Sequence, residues 1–404
     1  MITLTNTMST KEMYFGLQSI LDQEYFGEKY LDQDELDLHK GRNTNPFSYK
    51  GQFSPDFISN LLKYYAHKDA LILDPFVGSG TVLFEAARRG LTAYGTEINP
   101  AAYEMANTIS FIGLSIAERE EKVANAMKYL SRLASSVMDD DLYKFLESKI
   151  EVAEVFEKNI LKNAYISLLA SKRPHTSDSL KLYIQKHANL IQSLPKINLR
   201  SKVFLADARK VPLPDSEVDL VITSPPYINV FNYHQHNRTF IDRIYRNALV
   251  VAKSEFGANR KHRQNRFLTV IQYVMDMVQA FEEMKRILKH NGRLILVIGR
   301  SSKVRGIDFR NDHIIGGVAT IAGYKLVAKQ ERKFVNQYGE KIYEEVLHFT
   351  FTDRSQPESL NMARGFAVEI LKDAEKRAKG IVRQDIKNAI LNVASVNHSP
   401  FFSK

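Results

Sequence analysis

Residues 70–98, ALILDPFVGSGTVLFEAARRGLTAYGTEI, decide the fold. ALILDPF is a short apolar run closed by Asp-Pro, the texture of a strand buried on both faces. A Gly-rich turn follows, then a helical stretch through Thr81–Arg89, then a second strand in LTAYGTEI. Strand, tight turn, helix and strand make one βαβ unit, and its crossover sets the two strands parallel. Gly78 and Gly80 allow a tight turn and a close approach of backbone to a ligand. The turn is not the dinucleotide fingerprint, because Leu83 stands where a third glycine would fall. It is not a Walker phosphate loop either, because no Gly-Lys-Ser/Thr follows. A Gly-x-Gly by itself is also what an ordinary turn needs.

Outward from this unit the alternation stops and then resumes. Residues 101–195 carry helical periodicity, with Val123, Met127, Leu130 and Leu133 spaced by three and four, and breaks near Asp139–Asp141 and Lys172–His175. Strand texture returns in KVFLAD (202–207), VDLVITS (218–224) and RLILVIG (293–299). GYKLVAKQERKF and YEEVLHFTF, separated by NQYGEK, predict an antiparallel hairpin at the sheet edge. The pattern predicts an α/β fold: a doubly wound, mostly parallel sheet with an antiparallel edge hairpin, plus a helical insertion. The expected organisation is a polar, partly helical lead-in over 1–45 and an α/β domain over 46–110 and 200–352. A helical insertion spans 111–199, and a basic helical tail 353–404. No internal repeat or low-complexity tract interrupts it.

Ligands of such sheets bind beyond the carboxyl ends of the strands. Three acids stand there: Asp74 after the first strand, Glu97 after the second and Asp207 after KVFLA. Glu97 lies at the distance from the Gly-rich turn at which an acid grips a ribose diol. The set suits an adenosine, with the turn near an amino-acid tail, Glu97 on the ribose and Asp207 near the adenine amino group. A strand-terminal acid facing water is the plain alternative for each.

The strand VDLVI ends abruptly in Thr223-Ser224-Pro225-Pro226-Tyr227. Two prolines fix two φ angles and remove two backbone donors. Backbone carbonyls there can face outward, the Ser224 hydroxyl adds an acceptor, and Tyr227 offers a flat face for stacking. The lone pair of an exocyclic amino nitrogen is delocalised into its base ring. Acceptors that hold both N–H bonds localise it, so that the nitrogen can attack an electrophilic methyl without a strong base. Such an atom is inaccessible inside a duplex, so the base must be extruded.

Composition bounds the alternatives. The chain has 404 residues, 44% of them apolar and 25% charged, as in an ordinary globular protein. Cysteine is absent, which excludes disulfides, thiolate-ligated metals and a cysteine nucleophile. No apolar stretch approaches the roughly 18–20 residues of a membrane helix. The first thirty residues carry Glu12, Asp22, Glu24 and Glu28 rather than a secretory pattern, so a cytoplasmic location is expected. The net charge of +10 favours polyanionic partners.

DPFVGSGT, an acid after the next strand, and TSPPY together resemble the amino-methylating DNA methyltransferases, which make N4-methylcytosine or N6-methyladenine. The resemblance covers roughly 46–110 and 200–351 and implies the class I methyltransferase fold with S-adenosylmethionine as cofactor. It places Asp74, Phe76, Gly78, Gly80, Thr81, Glu97, Ile98, Asp207 and Ala208 at the cofactor. Ser224, Pro225, Pro226 and Tyr227 fall at the target base. SYKGQFSP (48–55), with Tyr49 and Phe53, is similar to the family's segment over the methionine end, though an ordinary turn reads the same way. Ser at the head of SPPY looks more like the cytosine-N4 enzymes than the adenine-N6 enzymes. The missing cysteine rules out the cytosine-C5 enzymes. The implied partners are double-stranded DNA with an extruded base and a restriction endonuclease acting on the same site. Related loops also modify guanine amino groups in tRNA, and a silent DNA-binding descendant of the fold is a further alternative.

Residues 228–266 carry many cations against only two local acids, Asp242 and Glu255, with Tyr, Phe, Asn and Gln interleaved. Arg238, Arg260, Lys261, Arg263 and Arg266 are expected at DNA; a solvated basic helix is the plain reading. His234 and His236 form no metal cluster, and no metal is expected.

Overall fold

The computed structural model describes residues 9–23, 25–27, 31–37, 45–131, 133, 137–197, 200–228, 232–235, 237–258, 262–335, 339–351 and 359–403. The strands, in chain order, are β1 (Tyr25–Gly27), β2 (Leu71–Asp74), β3 (Thr92–Glu97), β4 (Lys202–Leu205), β5 (Val218–Thr223), β6 (Leu288–Gly299), β7 (Ser301–Val304), β8 (Ile307–Arg310), β9 (Tyr324–Val335) and β10 (Lys341–Phe351). Eight of them form one sheet in the order β1-β9-β10-β6-β5-β2-β3-β4, and β7 and β8 pair in a small hairpin. From β6 to β4 the neighbours are parallel. β10 joins β6 antiparallel, and the expected hairpin β9–β10 closes that edge.

The period of two along the strands divides the core between the two sheet faces. Leu73, Val221, Leu294, Leu296 and Ile298 point to one face, where the helices Leu268–Ile287, Asn311–Ile321 and Ser359–Arg377 cover them. Ile72, Leu220, Ile222, Ile295 and Val297 point to the other, under Pro55–Tyr65 and Thr81–Arg88. The sheet is therefore doubly wound. Its strand order reverses between β2 and β5, the place where such folds open a ligand crevice.

Three segments that the sequence set apart are built into this body. The insertion's helices Ile116–Lys128, Asp139–Val152, Val155–Ala170 and Ser177–Ser193 share the core of the second face. Arg119 is fully buried there and donates to the carbonyls of Phe111, Ile112, Ile191, Leu194 and Pro195, joining the start of the insertion to its end. In the tail, Phe366 lies directly over Gly317, where an added Cβ would fall 1.9 Å from its ring. The lead-in helix Thr10–Leu21 packs Leu21 on Gly316 in the same way, and β1 adds an edge strand beside β9 that its composition did not suggest. Among the described residues no helix is long and apolar enough to cross a membrane.

Candidate active site

The Gly-rich turn is held by its own acids. Asp74 is buried at the end of β2, and its Oδ1 accepts the Phe76 amide at 3.1 Å and the Thr223 hydroxyl at 2.6 Å. That second bond ties the ends of β2 and β5 together across the switch point. Gly78 and Gly80 have φ of +52° and +97°, and a Cβ on Gly80 would lie 2.9 Å from the Ala106 Cα, so both conformation and space demand glycine there. Glu97 accepts the Gly78 amide at 3.0 Å through one oxygen and the Asn99 amide at 2.9 Å through the other. Burial pushes the carboxyls of both Asp74 and Glu97 up to about 7.

The segment 45–53 is fastened over this turn. The Thr81 hydroxyl donates to Asn45 Oδ1 at 2.9 Å, the Asn45 amide donates to the Phe53 carbonyl at 2.7 Å, and the Ser79 hydroxyl donates to Gln52 at 2.9 Å. Turn, segment and strand ends line one cleft. Of the expected cofactor residues, Tyr49, Phe53, Asp74, Phe76, Gly78, Thr81, Glu97, Ile98, Asp207 and Ala208 line it, and so do Ser224 and Pro226. Gly80 stands behind the wall as the cap of the helix Thr81–Arg88. Burial and then the Glu97 charge hold the Tyr49 phenol well above its ordinary range.

Ser224–Tyr227 follows β5 directly. Pro225 is buried behind Ser224 and Pro226. Tyr227 is half-buried, and its hydroxyl accepts the Gly299 amide at 2.9 Å and lies 3.3 Å from the Ser224 hydroxyl. Burial, and then the charge of Glu344, push that phenol up to about 12, so it is neutral in the working pH range. One loop carbonyl has a partner within the protein: the Pro226 carbonyl accepts the Tyr273 hydroxyl at 2.9 Å.

Residues 10–108 match a family model of the N6/N4 type described as DNA methylase. The chain is 27% identical to the type II methyltransferase M.AvaI of Nostoc sp. over 46% of its own length and 51% of the relative's. It is 21% identical to the type II methyltransferase M.MvaI of Kocuria varians over 73% of its own length and 83% of the relative's. The chain is similar to the amino-methylating DNA methyltransferases. It spans about half the length of the M.AvaI relatives it matches. Among solved structures, a SAM-dependent methyltransferase from Methanosarcina mazei covers 72% of this chain and 98% of its own at 12% identity, with a TM-score of 0.35.

The cleft suits S-adenosylmethionine, the cofactor that the family resemblance implies. Asp74, Glu97 and Glu255 bring three carboxyls to a ligand that carries a sulfonium and an ammonium charge, with Lys50 on the same wall for its carboxylate. Aromatic faces come from Tyr49, Phe53, Phe76 and Phe256. Asp207 reaches the wall, but both its oxygens are engaged by the protein: one takes the Arg209 amide and Nε, the other Arg209 Nη2 and the Phe402 amide. Sequence reasoning missed Asn99, Tyr233, Glu255 and Phe256. The Asn99 side chain donates to the Tyr233 carbonyl at 2.9 Å, and His234 Nδ1 lies 2.8 Å from Glu255. His234 is thus a buried partner of a cleft acid.

The basic stretch 228–266 is also more internally paired than its local charges suggested. Arg243 bonds Asp140 at 3.0 Å and also Glu147, both on the insertion, and stacks over Tyr143. The opposing charges therefore come from a distant part of the chain. Of the residues expected at DNA, Arg238 pairs with Asp242 on the surface, Arg263 is exposed and Arg266 is half-buried. Arg260 and Lys261, like His236, lie outside the described residues.

Proposed function

We propose that this protein methylates the exocyclic amino group of a DNA base, N4 of cytosine, as the modification enzyme of a restriction–modification system. The observation that carries the reading is the position of Ser224 and Pro226 on the same cleft wall as Asp74, Gly78 and Glu97. A proline-stiffened acceptor loop thus opens onto a nucleoside-sized crevice. When bound, S-adenosylmethionine supplies an electrophilic methyl group on a sulfonium sulfur. The chain's task is to make a weak nucleophile attack. The Ser224 hydroxyl and the Pro225 carbonyl accept the two amino hydrogens and localise the nitrogen lone pair. Tyr227, anchored by Gly299 and Ser224, presents a fixed edge to an extruded base. The proton leaves only after alkylation, when the nitrogen has become strongly acidic, so no general base is needed. Cytosine over adenine rests on Ser224 as the first residue of the motif.

Incubation with labelled S-adenosylmethionine and either duplex DNA or tRNA, followed by mass spectrometry of the nucleosides, tests the reading. N4-methylcytosine from DNA is expected. N6-methyladenine would move the target base and keep the mechanism, whereas label in tRNA alone would refute DNA as the substrate.

A further inference from the structure

The segment 396–402 has no regular secondary structure, yet it is held by a buried charge network. Arg209, with a fully buried side chain, is its centre. Its Nε and Nη2 grip both oxygens of Asp207 at 2.9 and 2.7 Å. Nη1 bonds Asp276 at 3.1 Å and the Ser399 carbonyl at 2.7 Å, and Nη2 bonds the Pro400 carbonyl at 2.9 Å. All five guanidinium hydrogens have acceptors. Asp276, buried in the middle of the helix Leu268–Ile287, takes the Ser399 amide at 2.7 Å and the Ser399 hydroxyl. The Phe402 amide closes on Asp207 at 2.9 Å.

This network borders the cofactor cleft on two sides. The guanidinium lies between the rings of Phe401, at 4.3 Å, and Phe256, at 4.9 Å. Phe256 meets Phe76 edge-on at 5.7 Å, and both of those rings line the cleft. One continuous stack therefore runs from Phe401 through Arg209 and Phe256 to the Gly-rich turn. On the other side Phe402 packs with Leu205, Val251 and Ile98, the residue that follows Glu97. Asp207 and Ala208, at the adenine end expected from the sequence, lie between the two.

We propose that residues 396–402 are the outer brace of the adenine end of the cofactor cleft, and that Arg209, Asp276 and Phe401 are positioning residues for cofactor binding. The proposal rests on the cleft being the cofactor site. A carboxylate and an aromatic wall held in place before binding cost less ordering when the ligand arrives. Loss of the brace therefore weakens cofactor affinity without touching the acceptor loop.

Calorimetric titration of the full chain with S-adenosylhomocysteine tests this, with steady-state kinetics and thermal melting alongside. Phe401→Ala removes a half-exposed ring and leaves the buried ion pairs intact, so the protein folds. Its Kd and its KM for S-adenosylmethionine are expected to rise about tenfold, the scale of losing one cation–π contact and the rigidity it confers. kcat at saturating cofactor should stay within about twofold, and Phe401→Trp should restore affinity. Leu391→Ala, on an exposed helix end, should change nothing. Glu97→Ala separates the two levels. If it also leaves Kd unchanged, the cofactor site itself is misplaced and the brace falls with it. If Glu97→Ala weakens binding while Phe401→Ala lowers only the melting temperature, the brace is purely structural and the proposal is refuted. Tighter binding by Phe401→Ala would refute it too, by making the segment a competitor of the cofactor.

Discussion

Glu97 is the carboxyl that the account assigns to both the fold and the ligand. Its two oxygens hold the Gly78 and Asn99 amides, and burial raises its pKa to about 7. Against an unfolded value near 4.3, the folded protein binds more protons between those two pH values, so folding stability declines as pH rises through that window. With Glu97 on the ribose, as the sequence reading expects, cofactor affinity runs the other way, because ribose hydroxyls would donate to the ionised form. Affinity should rise as pH climbs through 7, and calorimetry at pH 6 should give a Kd about tenfold weaker than at pH 8. Glu97→Gln should weaken binding and flatten that profile; a flat profile in the unaltered protein would remove Glu97 from the ribose. At the acceptor loop, Tyr227→Phe breaks the anchors to Gly299 and Ser224 and should lower kcat about tenfold. Tyr227→Ala should lower it about a hundredfold. Cofactor Kd should be unchanged in both, and equal loss in Kd would mean that Tyr227 serves the cofactor rather than the base.

Among the elements, the strands were the most legible in sequence. ALILD, KVFL, VDLVI and RLILVIG are apolar runs too short for helices, and the first three lead into the polar residues Asp74, Asp207 and Thr223-Ser224. The Gly-rich turn was legible too, since Gly78 and Gly80 follow a strand end. The brace and Glu255 were not. Their meaning lies in contacts across most of the chain, such as Ser399 on Asp276 and Phe402 on Asp207, and no local period encodes these. β1 was hidden because three residues, Tyr25–Gly27, gain their conformation only from pairing with β9. The insertion read correctly as helical, but its two ends are joined by Arg119, a cation whose five carbonyl partners are spread over 85 positions of sequence, from Phe111 to Pro195. Arg119→Ala would leave several buried carbonyls unmet and should destabilise the protein by about 3 kcal/mol. Denaturant unfolding measures this, and a loss under about 0.5 kcal/mol would show the insertion to be held by apolar packing alone.

For the whole molecule, a net charge of +10 predicts salt-sensitive binding to a polyanion. Arg263 is an exposed cation of the basic stretch, whereas Arg243 is consumed by Asp140 and Glu147. Arg263→Glu should weaken duplex binding for every sequence alike. It should also reduce the slope of log K against log salt by about one. A slope equal to that of the unaltered protein would exclude this surface from DNA. The central claim is geometric: a stiffened acceptor loop and a cofactor cleft meet where the sheet reverses its order. A crystal structure of the chain with S-adenosylmethionine bound tests it most directly. The account predicts the ribose on Glu97 and the sulfonium methyl turned toward the Ser224 hydroxyl and the Pro225 carbonyl. A methyl directed away from residues 224–227, or a cofactor seated outside the Gly78–Glu97 cleft, would contradict it.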